Sequence, residues 1–235
     1  MGKGSGFERE MCKDLSLWWT DEDEKRDDIF WRTAGSGARR TIRQKNSKLK
    51  TANSAGDMAC LDPEFGKELI DFAVFEFKRG YSSKRLLNNI EIEKVLRAQM
   101  GMEERIKRLR KLFDKSRKPP TDYGLLGLVD SKGNSILTDF VAKAEKEVHE
   151  SGRETYFLIF KRDSHTRVIC MTNAILGKME DICSEFPGNV IIVESEETES
   201  FFCLLNYDEW KEWFSSKDMR SLIENVKIEK EGGIC

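Results

Sequence analysis

An α/β fold with a central mixed sheet flanked by helices is predicted by three features of this 235-residue sequence. Short strand-length apolar or alternating runs are interleaved with longer stretches in which apolar residues recur every three or four positions. Fourteen Phe and five Trp supply bulky side chains for a core and argue against disorder, although only 39% of residues are apolar. The length suits one α/β domain or a core with an appendage.

Ser5 and Glu8 form a Ser-x-x-Glu capping box for a first helix running to Trp19, with Phe7, Met11, Leu15 and Trp18 on one apolar face. After the acidic Asp21–Asp28 loop, Ile29-Phe30-Trp31 reads as a strand, ended by Gly35-Ser36-Gly37. Asp57–Leu61 and Phe72–Lys78 read as a hairpin around the turn-rich Asp62-Pro63-Glu64-Phe65-Gly66, so the order begins α-β-β-β. Leu86 to Phe113 has helical spacing and stops at Pro119-Pro120. A helix over 136–150 precedes strands at Tyr156–Lys161 and Arg167–Met171, turned at Asp163-Ser164. A helix over 173–185, strands at Val190–Val193 and Phe201–Leu205, and helical segments to Val226 follow. The expected organisation is a core over 1–172 with a basic helical insertion over 84–118, and a C-terminal α/β extension over 173–235 packed on it.

The net charge of −2 hides segregation. Arg32, Arg39, Arg40, Arg43, Lys45, Lys48 and Lys50 fall in one stretch without an acid, and Lys84–Lys118 is predominantly basic. These segments can bind polyphosphate, or can be solvated faces. The six cysteines contain no C-x-x-C pair and read as free thiols of a reducing cytoplasm. Two histidines, His149 and His165, disfavour His-metal nucleases, zincins and most Ser-His hydrolases, leaving carboxylates and lysine for any chemistry. No apolar run approaches the roughly 20 residues that cross a bilayer, and no secretory h-region opens the chain, so a cytoplasmic protein without membrane contact is expected.

On a strand over Asp71–Lys78, Glu76 and Lys78 share one face and Phe75 and Phe77 the other. A carboxylate and an ammonium closing an apolar strand suit metal-assisted phosphodiester hydrolysis: Glu76 ligates a hard cation, and Lys78 orients or deprotonates water and offsets phosphate charge. A cross-strand ion pair is the plainer alternative. Glu209-Trp210-Lys211, Asp23-Glu24-Lys25 and Asp130-Ser131-Lys132 share the pattern, but only Glu76-Phe77-Lys78 ends an apolar strand. Asp57, after the pliable Gly56, brings a second carboxylate, or is a turn aspartate.

Together these pieces resemble the PD-(D/E)xK nuclease superfamily, and within it the archaeal Holliday junction resolvases and related phage enzymes. The resemblance covers residues 4–81 and, more loosely, 136–171. It implies a restriction-endonuclease-like core and an Mg²⁺-dependent endonuclease acting on DNA, with Mn²⁺ as a substitute. Asp57, Glu76 and Lys78 match the motif, and Glu8 matches the helix glutamate that joins the metal site. The resemblance gives Glu8, Asp57, Glu76 and the Phe77 carbonyl as metal ligands and Lys78 as the water-positioning group. Arg32-Thr33-Ala34-Gly35-Ser36-Gly37 matches the DNA-contacting loop, which implies that Arg32 and Ser36 meet DNA. Arg39, Arg40, Arg43 and Lys45 extend that surface toward the phosphates. Symmetrical cutting of two strands favours a homodimer. The chain departs from the pattern at Gly56, which replaces the motif proline, in the long Asp57–Glu76 interval, and in the insertion over 84–118. A catalytically inactive nucleic-acid-binding protein on the same fold is the alternative. Glu8 also serves the capping box in this reading, and Trp18, Trp19, Trp31, Trp210 and Trp213 read as packing residues more readily than base-stacking platforms.

Overall fold

The first apolar stripe forms helix α1, Lys3–Trp19, in which Phe7, Met11, Leu15 and Trp19 are fully buried. Their spacing of four puts them on one face. The helix begins two residues before Ser5, so the expected capping box does not start it. Trp19 completes the buried stripe; Trp18 is partly buried and its Nε1 donates to the Phe214 carbonyl at 3.0 Å. The computed structural model describes residues 3–20, 25–33, 55–79, 102–104, 106–108, 136–161, 165–195 and 200–232.

Strands β1, Phe30–Arg32, and β2, Met58–Cys60, pair antiparallel as a two-stranded ribbon. The segment expected to turn a hairpin instead opens helix α2, Pro63–Phe72. Asp62 is its N-cap, accepting from the Glu64 N–H, and Pro63 occupies the first turn, where a missing N–H costs nothing. Asp-Pro signals both a turn and a helix start, and the apolar face of Leu69, Ile70 and Phe72 settles the competition. A Cβ on Gly66 would meet Ile29 Cγ2 at 2.7 Å and Cys60 Sγ and Phe30 Cε1 at 2.8 Å, so glycine lets α2 lie flush on the ribbon. Among the described residues the order therefore begins α-β-β-α-β.

Strand β3, Ala73–Arg79, is the edge of a five-stranded sheet of order β3-β4-β5-β7-β6. Its partners are β4, Thr155–Lys161; β5, Arg167–Thr172; β6, Ile191–Ser195; and β7, Ser200–Asn206. Only β3 and β4 pair parallel, and helix α3, Ile136–Ser151, lies in the crossover that this requires. The β4–β5 hairpin pairs Lys161 with Arg167; its expected turn residues 163 and 164 lie outside the described residues. Helix α4, Asn173–Cys183, follows β5 directly; α5, Tyr207–Trp213, and α6, Ser216–Gly232, close the chain. The boundary expected at 172/173 thus falls inside this sheet, to which the later residues give two strands.

Phe75, Phe77, Phe157, Ile159, Ile169, Met171, Cys203 and Leu205 point to one face, where they share a core with α1, α4, α5 and α6. The opposite face carries Glu76 and Ser200, which meet Lys143 and Glu145 of α3. The molecule is accordingly mixed α/β, a five-stranded mixed sheet flanked by helices. The chain divides into two units, residues 1–79 with 137–235 and residues 80–136. Of the helix expected over 86–113 only two short pieces are described, and there Arg108 Nε donates to Glu104 Oε1 at 3.0 Å. No helix among the described residues is long and apolar enough to cross a membrane.

Candidate functional site

An edge strand normally leaves a row of backbone groups unpaired. At β3 Asp57 takes the middle of that edge, and Arg153 Nη1 takes the Ala73 carbonyl beside it. The Asp57 N–H donates to the Phe75 carbonyl at 2.7 Å, and the Asp57 carboxylate accepts from the Phe77 N–H at 2.8 Å. Gly56 makes the approach possible: its φ is +78°, and a Cβ there would lie 2.4 Å from the Phe75 oxygen. The Asp57 carbonyl in turn accepts from the Thr33 N–H at 2.9 Å, tying the turn to the end of β1.

Asp57, Glu76 and Lys78 are brought together. Lys78 Nζ contacts Glu76 Oε2 and lies 3.1 Å from Asp57 Oδ2 and 3.5 Å from the Phe77 carbonyl. All three side chains are largely buried. Burial pushes the Glu76 carboxyl above its ordinary range, and the Asp57 charge adds to this. Burial alone would lower the Lys78 ammonium, but Glu76 and Asp57 outweigh it and raise it. Lys78 is therefore held as a cation, which suits a donor to water or phosphate and not a base that removes a proton.

Glu8 stands beside this group, 3.5 Å from Arg32 Nε. Its carboxyl is pushed up by burial first and by Asp57 second. One turn along α1, the Cys12 thiol is pushed up to about 12 by burial, Asp57 and Glu8, and is an inert packing group. Three further residues belong to the site and carry no signal in the sequence pattern. Lys143 Nζ lies 3.3 Å from Glu76 Oε2 and 3.6 Å from Glu147 Oε1. Glu147 Oε2 accepts from the Gly56 N–H at 2.8 Å. Arg153 Nη1 donates to the Ala55 and Ala73 carbonyls at 3.2 and 3.1 Å. An i,i+4 Lys-Glu pair on an amphipathic helix reads as a solvated ion pair and gives no sign of a tertiary partner.

Mg²⁺ takes oxygen ligands, and the carboxylates of Glu8, Asp57 and Glu76 are groups of that kind. Burial first, and the Asp57 charge second, push the Glu8 and Glu76 carboxyls upward. The cluster is short of positive charge, so its donor chemistry fits a hard cation. It is not preassembled: among the described residues no three His, Cys, Asp or Glu side chains are placed to hold a metal. The Lys78 ammonium bridges the two innermost carboxylates, and a cation must compete with it there.

Arg32 is at the site's margin, while Ser36, Arg39, Arg40, Arg43 and Lys45 lie outside the described residues. The rival Glu209-Trp210-Lys211 sits on α5 with Trp210 in the core and Lys211 paired to Asp14 at 2.8 Å. Trp19 and Trp210 are core residues, but Trp31 is 38% exposed. Cys12, Cys60, Cys170, Cys183 and Cys203 are free thiols. Compared with protein-family models, with curated proteins and with solved structures, the chain matches none.

Proposed function

We propose that this protein is an Mg²⁺-dependent endonuclease that hydrolyses DNA phosphodiester bonds on a restriction-endonuclease-like core. The observation that carries this reading is the single ammonium of Lys78 joined to the carboxylates of both Asp57 and Glu76 at a sheet edge. A strand-edge ion pair needs one carboxylate; a second, whose turn requires a positive-φ glycine, is structure beyond what stability requires. Asp57 and Glu76, with Glu8 and the Phe77 carbonyl, are the groups that would hold Mg²⁺. The ion would supply a Lewis acid that activates water and offsets phosphate charge. Lys78 donates to the attacking water or to a phosphate oxygen, its charge kept by its two neighbours. Arg32 opens the basic stretch in which Ser36, Arg39, Arg40, Arg43 and Lys45 would bind backbone phosphates.

The test is cleavage of labelled four-way junction, fork, duplex and single-stranded DNA in Mg²⁺ and in EDTA. Cutting that needs the metal and falls about 10²- to 10³-fold in Asp57→Asn and Lys78→Ala is the expected result. Preference for the junction, with a dimer by light scattering, supports a resolvase-type substrate. Binding without cutting by the wild type overturns the catalytic reading in favour of a DNA-binding protein.

A further inference from the structure

We infer that Lys143 of α3 is the residue of this site that meets the scissile phosphate, a second cation with a task different from that of Lys78; this rests on the nuclease reading above. Two lysines touch the same carboxylate, Glu76. They differ in where they stand. The Lys78 side chain is 13% exposed and is enclosed by Asp57, Glu76 and the ring of Phe140, 5.5 Å from its Nζ. The Lys143 side chain is 50% exposed although its Nζ rests on a Glu76 side chain that is 3% exposed. Of the two lysines on Glu76, Lys143 is thus the one that faces solvent.

An ammonium carries three donors. Among the described residues the partners of Lys143 are Glu76, at 3.3 and 3.4 Å, and Glu147, at 3.6 Å. Both are long contacts, and they leave donor capacity on the exposed side. A phosphodiester approaching Asp57, Glu76 and Glu147 meets like charge, and a solvent-facing ammonium is what turns that repulsion into attachment. Glu147 also holds the Gly56 N–H, so the residue steering Lys143 is the one that steadies the Asp57 turn. A surface ion pair within α3 would account for the Glu147 contact; it does not account for the reach to Glu76 across to β3.

The experiment compares wild type, Lys143→Met and Lys143→Arg on duplex and four-way junction DNA. Single-turnover cleavage in Mg²⁺ is expected to fall about 10- to 100-fold in Lys143→Met and to recover in part in Lys143→Arg. DNA binding in EDTA across a salt series gives an independent readout. The slope of log affinity against log salt should be shallower by about 0.9 in Lys143→Met, the change for one phosphate that the protein no longer neutralises, and unchanged in Lys143→Arg. A merely structural role leaves that slope alone. Wild-type cutting matched by Lys143→Met, or an unaltered slope, overturns the role of Lys143 and leaves the nuclease reading standing. Wild-type protein that binds but never cuts overturns both.

Discussion

Two charged clusters sit within the same unit, and they balance charge in opposite ways. Around Asp14 on α1, one carboxylate receives the Tyr207 hydroxyl at 2.7 Å, Lys211 Nζ at 2.8 Å and Arg167 Nη1 at 3.4 Å. Arg167 also pairs with Asp208, and both cations stand over the Tyr207 ring, at 4.9 and 5.2 Å. Donors outnumber the central acceptor, and α1, β5 and α5 are locked together. Around Lys78 the ratio is inverted. Four carboxylates, Asp57, Glu76, Glu8 and Glu147, meet three cations: Lys78 enclosed between Asp57 and Glu76, Lys143 on Glu76 and Glu147, and Arg32 on Glu8. The carboxyls of Glu8 and Glu76 are pushed upward by burial first and by Asp57 next. A saturated cluster is a brace. A cluster with surplus carboxylate is poised to take up positive charge, and holding it unsaturated costs stability.

The largest stability change that would break this comparison is expected from Gly56→Ala. The added methyl would press on the Phe75 carbonyl at a φ of +78°, a backbone contact that cannot swing away. A loss of about 3 kcal/mol in urea unfolding is expected, together with loss of any cleavage, because the Asp57 turn is displaced. Unchanged unfolding would show that the turn is not held as tightly as its geometry requires. Asp14→Ala should cost less, about 2 kcal/mol. It strands the hydroxyl of the buried Tyr207 and two cations, Arg167 and Lys211, whose side chains remain about a fifth exposed so that water can reach them. Its cleavage rate should stay within about twofold of wild type after correction for the folded fraction. A large kinetic defect with intact folding would place the Asp14 cluster in the chemistry and end the distinction.

The smallest effect is on the pH dependence of stability in Glu76→Gln. The folded Glu76 carboxyl lies above its ordinary value of about 4.5, because of burial first and Asp57 second. The folded protein therefore binds this proton more tightly than the unfolded chain. That contribution is fully present below the ordinary value and is lost as pH rises through the elevated one. Thermal melts of wild type between about pH 4 and 8 should show this decline, and Glu76→Gln should show a flatter profile, with stability near neutral pH equal to or above wild type. A steeper decline in the variant would mean that the ionised carboxylate is a net stabiliser through its two lysines.

Much of the site is legible in the sequence because it depends on local rules. Strand alternation alone places Glu76 and Lys78 on one face and Phe75 and Phe77 on the other, and the core contains both phenylalanines. The preference for Glu76-Phe77-Lys78 over Glu209-Trp210-Lys211 rests on strand against helix context, and α5 is the element that carries the latter. Asp62-Pro63 misleads because the same two residues begin turns and helices, and the difference lies in what Leu69, Ile70 and Phe72 pack against. Ser5 has the chemistry of a cap, but the helix begins at Lys3 and leaves it inside the first turn. Residues 36, 39, 40, 43 and 45 fall outside the described part of the molecule.

By itself, then, the sequence determined the α/β class and most of the strands and helices, and it singled out Asp57, Glu76 and Lys78 as candidates, since periodicity and residue chemistry act over a few positions. Tertiary structure alone decided that Asp57 fills the edge of β3 across a helix and not a hairpin. It alone brought Lys143 and Glu147 from 67 and 91 residues away onto Glu76 and Gly56. Those contacts follow from where α3 settles on the sheet, a choice made by the burial of whole faces, and no local spacing encodes it.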